Sequence, residues 1–232
     1  MISQTSSTNS KKKSKKRLFI ASFFVAVILA AIILYAIKIT YNNTESSSTN
    51  MTAKNTIEKI QNEKTMAIKT AAKGFFTHIR FADKHYDMNK LSFKDMEGNN
   101  HELVEFTGKP ILVNLWAIWC KPCRTEMPEL AQLKRELGGE NFDVIAINTD
   151  TTASPEKIQK FLQDVHADNL LYYRDETMAI FNTMRKQGLA LGLPITLLID
   201  KNGHLIASYN GQAPWANDDA KALIKAVIKE AQ

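Results

Sequence analysis

Cysteine is scarce in this chain: 232 residues contain two, Cys120 and Cys123. That count leaves no material for a scaffold held together by several disulfides. A zinc site built on the pair would need two more ligands at close spacing, and no third cysteine exists. The five histidines, His78, His85, His101, His166 and His204, are scattered and unpaired along the sequence. There is also no charge excess outside one tail. The formal net charge is +6, from 30 basic and 24 acidic residues, and six of the basic ones fall within Lys11–Arg17. Without that tail the charges balance, so nothing suggests a nucleic-acid-binding surface. Internal repeats are absent as well.

What remains is concentrated in one stretch. The apolar run PILVNLW (Pro110–Trp116) reads as a strand, and an amphipathic helix runs on to about Leu137. Between them lies WAIWCKPC, which puts Cys120 at the helix start and Cys123 one turn later. A thiol at a helix N-terminus faces unpaired backbone N–H groups and the positive end of the macrodipole, which favours its thiolate. This arrangement points to thiol–disulfide exchange, with Cys120 as the attacking thiol and Cys123 as the shielded, resolving one. The competing reading is a pair of inert buried cysteines. Pro122 between the thiols and the strand–turn–helix setting weigh against it.

WAIWCKPC followed by RTEMPEL resembles the active-site segment of thioredoxin-like proteins. More narrowly it resembles the membrane-anchored TlpA class of thiol–disulfide interchange proteins, related to the ResA and CcmG reductases. The resemblance continues through VIAINTD (Val144–Asp150), GLPITLLIDKNG (Gly192–Gly203) and the Gln212–Trp215 loop, and covers Phe75 to the C-terminus.

The resemblance implies a role for several residues. Lys121 and Pro122 between the thiols help set the redox potential, and Pro122 stiffens the turn. Glu126, three residues after Cys123, relays the proton that Cys123 must lose; the alternative is an exposed glutamate that only complements the helix dipole. Pro194 is expected to be cis beside the disulfide, with Leu193 pairing through its backbone with an extended substrate. Trp119 is expected to lie exposed next to Cys120 and Trp116 to be more buried, and Pro128 is expected to kink the helix. Some positions depart from thioredoxins proper. Asn114 stands where those proteins carry a buried aspartate, Ala146 replaces a lysine, and the second, structural cysteine pair of some TlpA-like proteins is missing.

The expected fold class is α/β: a thioredoxin-like central mixed β-sheet flanked by helices, preceded by a transmembrane helix. Residues 1–17 form a cytoplasmic basic tail. Leu18–Ile37 is a run of twenty residues without a charge, enough to span about 30 Å of bilayer core. No A-x-A-like cleavage site follows it, so it reads as an uncleaved single-pass anchor in a bacterial inner membrane, with its C-terminal side periplasmic. Residues 38–74 are a stalk with a short helix over Thr56–Lys73, stopped by Gly74 and docked on the domain that occupies 75–232. Within that domain Leu91–Phe93 and His101–Val104 read as a hairpin, and Pro110–Trp116 and Phe142–Asn148 as buried parallel strands. Ser154–Val165 and Glu176–Arg185 read as helices and Asn169–Tyr173 as a short strand. Ile195–Asp200 and Leu205–Tyr209 read as a hairpin, followed by a last helix from about Asn217.

The function that the resemblance implies is reduction of client cysteine pairs before metal or haem insertion. No cofactor is implied beyond the redox-active Cys120–Cys123 disulfide. A membrane electron donor would recharge it. The client set favoured is that of cytochrome oxidase copper-centre assembly, namely a Sco-like copper chaperone and oxidase subunit II, with apocytochrome c before haem attachment as the alternative. A Sco-like copper-binding chaperone would use CxxxC and a distal histidine, and strong disulfide-forming oxidases often place a histidine between the thiols. Lys121-Pro122 supplies none.

Overall fold

The computed structural model describes residues 28–39, 56 and 59–232. The predicted basic tail, residues 18–27 of the predicted span and the Ser/Thr/Asn-rich stretch at 40–55 lie outside the described residues. The chain divides into two units, Met1–Asn62 and Glu63–Gln232. In the first, residues 28–39 are helical and exposed, and they contain the second half of the predicted span. Among the described residues no helix is long and apolar enough to cross a membrane.

In the second unit residues 63–71 are helical, with Ile68 buried in the main core and the Lys64 ammonium donating to the Glu230 carbonyl. This end of the predicted Thr56–Lys73 helix is therefore docked. It stops short of Gly74, whose φ of +53° suits glycine, and a Cβ there would also collide with the Asp219 carboxylate.

Besides 3-10 turns at Gly74–His78 and Leu103–Phe106, the remaining elements are β1 (Arg80–Phe81), β2 (Ser92–Lys94), β3 (Asn100–Glu102), β4 (Ile111–Trp116), α1 (Lys121–Leu137), β5 (Asp143–Asn148), α2 (Pro155–Asp164), β6 (Tyr173–Arg174), α3 (Ala179–Lys186), β7 (Ile195–Ile199), β8 (Leu205–Asn210) and α4 (Asp218–Ala231). They build one eight-stranded mixed sheet in the order β1-β8-β7-β4-β5-β6-β2-β3. Continuous apolarity puts β4 at its centre, where both faces are covered and every residue is buried. It runs parallel to β5, from Ile111 opposite Asp143 to Trp116 opposite Asn148, and antiparallel to β7, with Leu115 opposite Ile195.

Alternation along β4 divides the core in two. Ile111, Val113 and Leu115 join Ile145, Ile147, Leu197 and the buried face of α3. Leu112 and Trp116 join Met127, Leu130, Leu223 and Val227 from α1 and α4. Fully burying each such side chain contributes about 1.5–3 kcal/mol. Asn114 shares the second face, so the strand's one polar side chain is aimed at α1.

Helix starts follow their caps. Ser154 accepts the Lys157 N–H at 3.3 Å and Asn217 accepts the Ala220 N–H at 2.8 Å. At the other end of α1, Gly138 is needed for space, since a Cβ would strike the Lys134 carbonyl. Several boundaries differ from expectation. The short strand expected at Asn169–Tyr173 is instead β6, Tyr173–Arg174. Helix α3 begins at Ala179 rather than Glu176, because the Asp175 carboxylate collects the Thr177 N–H and the Ile180 N–H in a turn that precedes it. The β2–β3 hairpin forms, but its second strand ends at Glu102, and Leu103 and Val104 of the expected strand lie in the 3-10 turn Leu103–Phe106; one pairing, Lys94 opposite Arg174, attaches the hairpin to the main sheet.

Candidate active site

The end of β4 delivers the two thiols. After Trp116 the chain turns, with the Cys120 N–H donating to the Ala117 carbonyl at 3.1 Å. Cys120 is the N-cap of α1, and its sulfur accepts the Cys123 N–H at 3.3 Å. Pro122 sits in the first turn, where a missing N–H costs no helical hydrogen bond. Cys120 and Cys123 are joined as a disulfide with S–S 2.00 Å and Cα–Cα 5.3 Å. Cys123 is fully buried, whereas Cys120 keeps 4% exposure, so Cys120 is the more accessible of the two. Lys121 and Pro122 are exposed, and Trp119 stands out at 64% beside them, while Trp116 is buried.

Glu126 follows one turn after Cys123 on α1 and is fully buried. Its Oε1 accepts the Asn114 amide N–H at 2.9 Å, and its Oε2 accepts the Ala213 N–H and the Trp215 indole N–H, each at 3.2 Å. Burial pushes the Glu126 carboxyl up to about 7 even though all three donors favour the carboxylate. The exposed, dipole-complementing glutamate considered from the sequence is therefore not what the fold contains. The Asn114 amide also donates to the Thr196 hydroxyl at 2.9 Å, across the β4–β7 pairing, and its Oδ1 is buried without a partner. Trp215 is held in place by Phe76, at 5.0 Å between ring centroids, and by an edge-on contact with Tyr209.

A second wall comes from the loop before β7. The Leu193–Pro194 peptide bond is cis, Pro194 is buried, and Leu193 packs on the buried cluster that contains Cys120 and Cys123. Because Ile195 lies opposite Leu115, the loop meets the sheet at the end where β4 turns toward the thiols. Asn210 of β8 secures it: its Oδ1 accepts the Leu191 N–H at 2.7 Å and its amide donates to the Leu189 carbonyl at 2.8 Å. Leu191 is left 85% exposed. On the opposite side, Asp150 at the end of β5 accepts from the Thr152 N–H, the Thr152 hydroxyl and the Ala153 N–H, all at 3.0 Å. Burial alone would raise the Asp150 carboxyl, but these donors, with the Ile118 N–H, outweigh it and hold it below its ordinary value.

The fold thus brings Trp119, Cys120, Lys121, Pro122, Cys123 and Glu126 into two turns of chain, and Leu193 and Pro194 come to the same end of the sheet from β7. Asn114, Ala213 and Trp215 as partners of Glu126 were not anticipated, nor was Thr196 as the second acceptor of the Asn114 amide, nor Asn210. Asn114 alone had a visible signal, as the one polar residue within ILVNLW.

Comparison with known proteins agrees with this geometry. The thiol-disulfide oxidoreductase ResA of Bacillus thuringiensis subsp. konkukian is 27% identical over 148 residues, covering 62% of this chain and 79% of the relative. The thioredoxin-like protein YneN of Bacillus subtilis is 31% identical over 118 residues, covering 49% of this chain and 63% of its own length. Among solved structures, a Chlorobium tepidum protein described as a thiol:disulfide interchange protein DsbE superposes with TM-score 0.53 at 27% identity, over 63% of this chain and 98% of that one. Residues 82–224 match the Redoxin family. The chain belongs to that family, on a thioredoxin-like fold, and is a thiol–disulfide oxidoreductase in which Cys120 and Cys123 are joined as a disulfide.

Proposed function

We propose that the chain is a membrane-anchored, periplasmic reductant of client-protein disulfides. The observation that carries this reading is the buried Glu126, raised to about 7, one turn from the buried Cys123. In the reduced protein the Cys120 thiolate attacks one sulfur of a client disulfide, forming a mixed disulfide and expelling the client's other sulfur as a thiolate. Glu126 takes the proton from the Cys123 thiol, and the Cys123 thiolate then attacks the Cys120 sulfur. That step closes the disulfide and releases the client's second thiolate, so two electrons have passed to the client. A carboxyl near neutrality suits this work, because it is basic enough to accept the proton and still ionised in about half the molecules at pH 7.

The direction of transfer is supported by Lys121-Pro122, which places no histidine between the thiols. Anchoring rests on the uncharged run Leu18–Ile37 behind the basic cluster. Trp119, Lys121, Pro122, Leu193 and Pro194 form the client-facing rim. The clients are cysteine pairs that must be reduced before a metal enters. The copper centre of cytochrome oxidase is the favoured case, through a Sco-like chaperone and oxidase subunit II, and apocytochrome c is the alternative. A membrane electron donor restores the dithiol.

The test is trapping in cells. Cys123→Ser is expected to accumulate a covalent mixed disulfide with its client, and Cys120→Ser is not. Equal trapping by both variants would overturn the assignment of roles. The trapped protein, identified by mass spectrometry, tells oxidase clients from apocytochrome c. A reduction potential at or below about −220 mV supports a reductant, whereas one near −120 mV, about that of the strongest disulfide-forming oxidants, would reverse the direction.

A further inference from the structure

A groove of about 520 Å³ lies beside the disulfide, between the Ile118–Trp119 turn and α2. Its floor is aromatic. Phe161 packs on Trp116 at 5.5 Å between centroids and carries the Arg124 guanidinium 5.3 Å above its ring. Lys157 and Lys160 line the α2 side, and Trp119 lines the side next to Cys120. Two carboxylates also line the groove, but both are committed. Asp150 is buried and saturated by the Thr152 and Ala153 donors, and Asp164 is paired with Lys160 at 3.0 Å. Arg124 and Lys157 have no carboxylate partner among the described residues.

Two cations without an ion-pair partner, set against the single unpaired carboxylate of Asp150, leave the groove lining net positive above its apolar floor and beside Cys120, which makes a directional feature. We propose that this groove is a recognition subsite for an acidic side chain that flanks the client's reactive cysteine. The inference rests on the thiol-exchange reading above and adds to it the chemistry of the client. Opposite charge at a partly exposed rim speeds encounter and fixes the register of the docked segment, and salt weakens it. The concave shape suits an extended polypeptide, which can lay an aliphatic stem on Phe161 and its carboxylate between Arg124 and Lys157. A flat bilayer surface cannot enter it.

The experiment uses the full chain, reduced, with three synthetic peptides that share one intramolecular disulfide and differ only in flanking residues: glutamate, glutamine or lysine. Rates are read by alkylation of the released thiols and mass spectrometry. The glutamate peptide is expected to react fastest, with its advantage over the glutamine peptide lost at high salt. Removing Arg124 (Arg124→Gln) or reversing the exposed Lys157 (Lys157→Glu) is expected to cut the glutamate-to-glutamine rate ratio by roughly two- to fivefold each. Equal rates for the three peptides, or a preference that survives both substitutions, would overturn the subsite while leaving thiol exchange standing. If even the glutamine peptide is not reduced, the exchange reading fails and the subsite falls with it. Peptides that do not discriminate, together with phosphatidylglycerol vesicles that bind the wild type more tightly than Lys157→Glu, would assign the groove to a lipid surface and also overturn the proposal.

Discussion

Replacing Glu126 by glutamine is expected to stabilise the oxidised protein above pH 7 and to change little near pH 5. Burial raises the Glu126 carboxyl from 4.5 to about 7 in the folded protein. Between those two values the folded state keeps a proton that the unfolded chain has released. Stability is therefore lost as pH rises from about 4.5, and the loss is complete above the folded value. At about 1.4 kcal/mol per unit, the full effect is about 3 kcal/mol, and full burial leaves it undiscounted by solvent. Glutamine has the same shape and keeps an oxygen for the Ala213 and Trp215 donors. Its N–H group meets Asn114, whose unpartnered Oδ1 accepts it once the Asn114 amide turns over. The variant therefore mimics the protonated wild type.

The assay is guanidinium unfolding of both proteins with the disulfide intact, at pH 5 and pH 8. Other groups also titrate. His101, held between Glu105 and Asp95, is raised and loses its contribution as pH rises through its folded value; the lowered Asp95 and Glu105 lose theirs on acidification. These terms are common to the two proteins, so the difference between them isolates Glu126. The gap is expected to widen by about 2–3 kcal/mol from pH 5 to pH 8 in favour of the variant. A gap that does not change with pH would refute the claim that burial controls this carboxyl.

In activity the same substitution is expected to slow disulfide reduction by about 10²-fold and to flatten the rate profile around pH 7; an unchanged rate and profile would remove Glu126 from the proton relay. Trp119→Ala should raise KM for a client disulfide and leave stability within about 0.5 kcal/mol, because the ring is exposed; a large fall in Tm would make it a packing residue instead. Asn217→Ala removes the acceptor of the Ala220 N–H and should cost about 1 kcal/mol in thermal unfolding, and no loss would mean that the cap is replaced by water.

The parts of this fold that could be read from sequence are those whose cause is local. The unbroken apolarity of ILVNLW requires a strand covered on both faces, and Ser154, Pro155 and Asn217 mark helix starts through side chains that bond their own neighbours. Cys120 and Cys123 belong to the same class, since a helix start and a spacing of three suffice to place them. Strands β1 and β6, with two residues each, are too short to carry a period, and they exist because β8 and β5 present edges to them. The start of α3 was missed for a related reason: Asp175 holds the preceding turn by side-chain bonds that compete with the helical ones.

The polar network around Glu126 lies furthest from any local rule. Glu126 is on α1, Asn114 on β4, Thr196 on β7, and Ala213 and Trp215 on the loop before α4, and only the folded domain makes them neighbours. Each is also costly where it stands, because a buried polar group without partners is destabilising. Asn114 in an apolar strand and Glu126 on the buried face of α1 would each be a liability alone. Together with the Ala213 and Trp215 N–H groups they pair both carboxylate oxygens and the Asn114 amide N–H, leaving the Asn114 Oδ1 over, and the donors do not cancel the burial of the carboxylate. That residual imbalance is what brings a carboxyl near pH 7 to the helix turn after Cys123. It lowers the stability of the oxidised fold at high pH, and in the proposed relay it is what lets Glu126 take the proton from Cys123.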